Sequence, residues 1–326
     1  MLVYAGIDEA GYGPMLGPLC VAASVFVLPD ARPDDGAPNL WRALNRAVCR
    51  RRTDRRRRIA VDDSKKLKQS PGGSSHPLRH LERGVLSFAA AFDGVDATAV
   101  RRDADLFERL GVTVPPHRWY GGEVDVPVGG TDAERRIASS RVRRAFADAG
   151  VAGGLVACEA IDVEAFNDGV ARQGTKSSVN FGAVVRHVDR IWRRWPEDHP
   201  RVVIDRQGGR THYREELQLV FPDARLQVLS ETPRLSRYRL VRAGSPITLS
   251  FQPEAEAGHL PAALASMTAK YVRELLMLRL NQFFSGLLPE LKPTAGYVQD
   301  ARRYLADIEP VLERERLPRD RLIRCV

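Results

Sequence analysis

Cysteine is scarce in this chain. Cys20, Cys49, Cys158 and Cys325 are scattered through 326 residues, with no CxxC pair and no Cys/His spacing suited to zinc. That excludes a disulfide scaffold and the common zinc modules. Lysine is almost as rare: it occurs only at positions 65, 66, 68, 176, 270 and 292, and every other basic residue is arginine. There is no run of about 18 apolar residues, so no membrane-spanning helix is expected. The opening MLVYAGIDEAG has neither a basic n-region nor an apolar h-region, and its carboxylates come too early for a signal peptide. Internal repeats and long linkers are missing as well. GYGPMLG at 11–17 lacks the GxGxxG spacing of a dinucleotide site. These absences predict a cytoplasmic protein with no membrane partner, and nothing in the sequence points to a stable protein partner.

The composition is that of a globular chain, with 44% hydrophobic and 28% charged residues. The length allows one large domain or two smaller ones. Lys plus Arg is 50 against 41 Asp plus Glu, a net charge of +9. That surplus favours a polyanionic partner, although the arginine skew also arises from GC-rich coding sequence. Arg50–Arg52 and Arg55–Arg58 form a charge block, read as a solvated helix end in preference to a dedicated nucleic-acid patch.

Apolar runs predict strands at Leu2–Ile7 and Leu19–Leu28, joined by the Gly/Pro-rich 11–18 stretch, and further strands at 151–160, 201–205, 225–229, 238–241 and 247–251. Helical patterns cover 40–48, 78–92, 176–195 and 259–284, with one or two more in 298–324. A helix over 131–149 is framed by a capping box, Thr131 with Glu134, and a stop at Gly150. Residues 30–38 and 70–76 read as loops and 112–130 as irregular. Strands grouped early, followed by helices with intervening strands, predict an α/β fold, a mixed sheet flanked by helices.

Two of these strands end in acids, Ile7-Asp8-Glu9 and Ile204-Asp205, and a third acid, Glu256, lies between a strand and a helix. Strand ends present reactive groups on a rigid frame. Carboxylates gathered there cannot all stay ionised unless cations neutralise them. Hard oxygen ligands select Mg²⁺ or Mn²⁺, and two such ions would serve phosphodiester hydrolysis. Taken singly, Asp205 and Glu256 read more readily as cap or turn residues, whereas the adjacent Asp8 and Glu9, between an apolar strand and a Gly-rich turn, are costly unless something binds them.

The segment from Gly6 through Asp8-Glu9-Ala10-Gly11-Tyr12-Gly13-Pro14 to Gly17-Pro18-Leu19 resembles the opening motif of the type 2 ribonucleases H, the bacterial HII and HIII families. Asp63-Ser64-Lys65-Lys66-Leu67 resembles that family's DSKKL motif, and Val202–Asp205 its third-carboxylate strand. Ala255-Glu256-Ala257, with AALASMTAK at 262–270, resembles its AE/AD…ASIIAK segment. Ile161-Asp162 with Asn167 is a fainter match to its ID…N element. The blocks follow the family's order over most of the chain. The resemblance implies a ribonuclease H-like fold and an enzyme that cleaves the RNA strand of RNA/DNA hybrids, or cuts at ribonucleotides embedded in duplex DNA. It implies two Mg²⁺ or Mn²⁺ ions held by Asp8, Glu9, Asp205 and Glu256. Gly11, Tyr12 and Gly13 would read the ribose 2′-hydroxyl, Ser64, Lys65 and Lys66 would contact phosphates, and Tyr297 would stack under the sugar. Ser266 and Lys270 stand one turn apart on one helix face.

The chain departs from the family pattern at several points. Tyr12 replaces an Arg or Lys, Glu256 follows the HIII branch, and Val298-Gln299 follow Gly296-Tyr297 in place of Gly-Thr, which leaves Tyr297 also readable as a core residue. The stretches 69–150 and 207–253 are longer than the family's connections. The sequence therefore predicts one catalytic domain over 1–326, with 69–150 as an insertion or subdomain and 285–326 as a C-terminal helical segment. A structure-specific DNA endonuclease on the same scaffold and a non-catalytic nucleic-acid binder are the rival readings.

Overall fold

The computed structural model describes residues 1–32, 36–69 and 75–325. The middle of the expected 30–38 loop and most of the 70–76 break lie outside them. Strand β1 (Leu2–Ala10) runs antiparallel to β2 (Leu19–Leu28). A short helix α1 (Leu40–Ala43) and a parallel pair of two-residue strands, β3 (Val48–Cys49) and β4 (Ile59–Ala60), follow. The helical pattern expected over 40–48 thus stops at Ala43. The arginine block, expected as a helix end, forms turns between β3 and β4, because the short parallel pair forces the chain to double back. Then come α2 (Ser64–Leu67), α3 (Arg79–Asp93), α4 (Asp103–Leu110) and α5 (Asp132–Asp148). The predicted capping box is present: Thr131 Oγ1 accepts from Glu134 N, and Glu134 accepts from Thr131 N, both at 3.2 Å.

Strand β5 (Gly153–Ile161) leads into α6 (Val163–Gln173), α7 (Lys176–Arg194) and β6 (Arg201–Asp205). After α8 (Arg214–Val220) the chain makes the meander β7 (Arg225–Glu231), β8 (Ser236–Arg242) and β9 (Ser245–Gln252). It ends with α9 (Ala255–Gly258), the long α10 (Leu260–Leu287) and α11 (Val298–Arg314). The sheet is mixed and seven-stranded, in the order β5-β2-β1-β6-β9-β8-β7, with β6 parallel to both β1 and β9. The α/β class expected from the sequence is the one found.

Strand alternation sorts the core into two layers. Leu2 and Tyr4 of β1 join Val203 and α10 in one apolar cluster. Val3, Ala5 and Ile7 face α7 in the other, with Val202 and Ile204. On the first face α10 lies directly on β1. A Cβ at Gly6 would come within 2.1 Å of Ala262 N, so only glycine permits this crossing. Phe88 and Phe92 of α3 and Phe146 of α5 pack around Phe26 of β2 on the same face, with centroids 5.1–6.0 Å from it. No helix among the described residues is long and apolar enough to cross a membrane.

Candidate active site

The parallel register pairs Ile7 with Ile204, so Asp8 and Asp205 follow side by side at the strand ends. By alternation both project on the α10 face, while Glu9 turns toward α7. Asp8 is 7% exposed, and Glu9 N donates to its Oδ1 at 2.7 Å. Asp205 Oδ1 accepts from Ala255 N at 3.1 Å, which ties β6 to the four-residue helix carrying Glu256. The residue before that helix, Glu254, sits at φ 53°, a left-handed conformation that a non-glycine residue adopts only under constraint.

The four acids share one electrostatic environment. Burial drives the Asp8 carboxyl well above its ordinary range, and the Glu9 and Asp205 charges push it further, while the nearby Ser266 hydroxyl and the Glu9 N–H lower it. Glu9 is pushed up to about 7, by burial first and then by Asp205. Burial raises Asp205 as well, against hydrogen bonds from the Ala255 and Arg206 N–H groups. Glu256 rises through burial and then through the Asp205 and Asp63 charges. Lys65 is exposed, yet its ammonium lies near enough to lower both Glu9 and Asp205. Among the described residues no three His, Cys, Asp or Glu side chains converge closely enough to hold an ion as they stand. The chemistry of the donor set nonetheless fits a hard divalent cation: all-oxygen, crowded, and short of positive charge.

Asn180, a residue that sequence reasoning missed, adds to this fit. Its side chain is fully buried, its amide lies close enough to Glu9 to lower that carboxyl's pKa, and among the described residues neither amide atom meets a partner in full hydrogen-bond geometry. Its signal in the sequence was an asparagine between Val179 and Phe181, inside the apolar stripe of α7.

The DSKKL segment begins at Asp63, whose carboxylate caps α2 by accepting from Lys65 N at 2.9 Å. Ser64 is buried and accepts from Ser266 Oγ at 3.1 Å, which links α2 to α10 beside Asp8. Lys66 reaches Asp62 at 3.5 Å. Lys270, which shares a face with Ser266, is buried and paired with Glu274 at 2.9 Å.

The glycine loop is held from below. Gly11 has φ +87°, and a Cβ there would lie 2.5 Å from Arg273 Nε. Gly13 has open space, with nothing within 4 Å of a Cβ position. Arg324, from the C-terminal segment, is buried and donates to Gly17 O at 2.9 Å and Gly11 O at 2.6 Å. Arg273 donates to Leu16 O at 3.0 Å. Asn167 binds the same tail, donating to Ile323 O at 2.9 Å and accepting from Cys325 N at 2.8 Å. No local pattern announces Arg324. Arg273 went unread as well, and its one sequence signal is a charge inside an apolar helix.

Tyr12 is half-buried, with Lys176 Nζ 5.6 Å from its ring centroid. The Tyr12 hydroxyl rises above its usual pKa through burial and then through Glu9, while Ser177 and Arg210 oppose the shift. A lysine from α7 thus stands where the motif's own cation is missing. Tyr297 is 52% exposed, so the core alternative does not hold. It follows Gly296, whose carbonyl accepts from Met15 N at 2.8 Å and places it beside the glycine loop.

The fold and the site define an α/β protein with Asp8 and Asp205 side by side at the ends of two parallel strands and Glu9 and Glu256 partly buried near them. No protein-family model matches the chain. No curated protein matches it. Solved structures do resemble it. The ribonuclease HII of Archaeoglobus fulgidus, solved in complex with PCNA, is 15% identical at a TM-score of 0.41, over 98% of this chain and 91% of that one. The ribonuclease H2 of Pyrococcus horikoshii is 14% identical at a TM-score of 0.42, over 98% and 92%. Bst-RNase HIII in complex with Mn²⁺ is 16% identical at a TM-score of 0.35, over 94% and 62%.

Proposed function

We propose that the chain is a metal-dependent ribonuclease H-like endonuclease of the cytoplasm. It hydrolyses the RNA strand of RNA/DNA hybrids, or cuts at ribonucleotides embedded in duplex DNA. The observation that supports this reading is that Asp8 and Asp205 adjoin at the ends of β1 and β6, and that the Asp205 charge raises the pKa of the other three acids, Asp8, Glu9 and Glu256. These four would hold Mg²⁺ or Mn²⁺, two ions in the reading we favour. When bound, such ions neutralise the acids, activate water and stabilise the leaving oxygen.

The chain's own groups do the rest. Asp8 and Asp205 are fixed by the sheet, so their oxygens need little reorganisation. The Gly11 and Gly13 backbone offers close approach to a ribose, and Gly13 in particular leaves room for one. Lys65 supplies a charge for a phosphate next to the reacting one. Tyr12, within the glycine loop, and Tyr297, which follows the Gly296 that bonds to that loop, offer aromatic surface to the sugar and base.

The test is cleavage of three labelled duplexes with Mg²⁺ or Mn²⁺: an RNA/DNA hybrid, a DNA duplex with one ribonucleotide, and plain DNA. Wild type is run beside Asp8→Asn and Asp205→Asn. Ribonucleotide-dependent cutting that both substitutions abolish is expected. Cutting of plain DNA would replace this reading with the DNA endonuclease. Tight binding with no cutting would leave a binding protein.

A further inference from the structure

Beyond Arg50, the arginine block makes no contact with the carboxylate site among the described residues, and its surroundings set it apart. The turn over 52–58 faces α3 and α5 across a cleft of about 480 Å³. Arg52, Arg57 and Arg58 line it from the turn, Arg79, His80 and Arg83 from α3, and Arg141 from α5. Two acids, Asp54 and Glu134, share the cleft, and both are already engaged. Asp54 takes Arg58 in a two-pronged pair at 2.8 and 3.2 Å. Glu134 pairs with Arg79 and closes the capping box of α5. Among the described residues Arg52, Arg57, Arg83 and Arg141 have no carboxylate partner.

Two of these arginines build the cleft. Arg83 donates to Arg57 O at 2.6 Å and Arg58 O at 3.3 Å, and Arg141 to Arg57 O at 3.0 Å and Arg56 O at 3.2 Å, which fixes the turn. Arg83 Nε is buried with no partner. The turn needs the fixing, since Arg57 sits at φ 52°. Arg52 and Arg57 are exposed. The local potential is positive: burial lowers His80, and the charges of Arg52, Arg83 and Arg79 lower it further. Like charges crowded around a cleft and held by main-chain bonds are unfavourable without an anion.

We propose that this cleft is a phosphate-binding site, and that the phosphates it takes belong to the nucleic-acid backbone leading away from the carboxylates. The second half rests on the nuclease reading above. Arg50 joins the two places. It opens the turn that lines the cleft, and it donates to Asp62 at 3.2 Å and to Ala257 O at 2.7 Å, next to Glu256. The α3 and α5 side of the cleft falls in the 69–150 stretch that the sequence reads as an insertion, and the proposed contact lies away from the carboxylates. Arginine clusters of this kind recognise phosphate through paired N–H donors.

The decisive experiment compares wild type with Arg52→Glu/Arg57→Glu, whose two side chains have no partner to lose. RNA/DNA hybrids from under one helical turn to over two are titrated by fluorescence anisotropy in EDTA, across a range of salt. On the longest hybrids the variant should bind about tenfold more weakly, with a salt slope shallower by about 2. On the shortest hybrids the two proteins should bind alike, and kcat at saturation should be unchanged. Equal affinity at every length would overturn the proposal. If wild type neither binds nor cuts a duplex, the nuclease reading has failed, and pyrophosphate alone decides the anion site. A rise in wild-type Tm that the variant lacks keeps it, and equal responses end it.

Discussion

Two buried acidic centres lie beside α10, and they are built in opposite ways. At Asp8, acids face acids, and the pKa values rise. About two turns further along the helix, Glu274 sits among cations. Lys68 lies 2.8 Å away, Lys270 2.9 Å and Arg273 3.9 Å. Burial alone would raise Glu274, but the Lys270, Lys68 and Arg273 charges overcome it and hold the carboxyl at about 2. The same residue type in the same core thus serves two ends. A compensated centre stabilises the fold. An uncompensated one stores unfavourable energy that a proton or a bound cation relieves, which supports the proposal that chemistry is done there.

Opposite responses to charge removal would sharpen the contrast. Asp205→Asn should cut cleavage about a thousandfold or more, yet raise metal-free stability, because its repulsion of Asp8, Glu9 and Glu256 is relieved. Glu274→Gln should lower stability by about 3 kcal/mol, because Lys270 and Arg273 would be left buried without their acid. Urea unfolding in EDTA measures both. If the two substitutions shift stability in the same direction, the contrast is broken.

The pH dependence of metal-free stability separates the centres next. Glu274 falls from an ordinary 4.5 to about 2 on folding, so its contribution is full above pH 4.5 and drains away as pH drops toward 2. Glu9 goes the other way, from 4.5 to about 7. The native state holds that proton more tightly than the unfolded chain does, so stability declines as pH rises from 4.5 through 7. Thermal unfolding in EDTA should show a maximum on the acid side of neutrality. Mg²⁺ or Mn²⁺ should raise Tm more at pH 8 than at pH 5, and Asp8→Asn should flatten the decline above 4.5. A Tm that climbs steadily to pH 8 in EDTA would contradict the uncompensated centre.

How much of this was legible depended on where the information lay along the chain. Asp8, Glu9 and Asp205 end apolar strands, so alternation and strand ends pointed to them directly. Thr131 and Glu134 are a local motif, and the capping box formed as read. The helices α4, α6 and α8 went unread, because each is short and its apolar residues are too few to set a period. The arginine block misled, since a run of like charge resembles a solvated helix end until β3 and β4 pair in parallel around it. Arg324 was beyond reach. Its contacts with Gly11 and Gly17 span more than 300 residues of chain, and no local pattern encodes them.

The smallest expected effect concerns the cation at the glycine loop. If Lys176 stands in for the basic residue that Tyr12 replaced, Lys176→Gln should weaken hybrid binding about threefold and reduce the salt slope by about 0.9, the signature of one lost phosphate contact. Tyr12→Phe keeps the ring beneath the ammonium and should leave the slope unchanged. Tyr12→Arg in the Lys176→Gln background should restore it, because the charge returns to nearly the same place by the other route. A slope that ignores Lys176 but follows Tyr12 would mean that the ring itself carries the contact and the lysine only covers it.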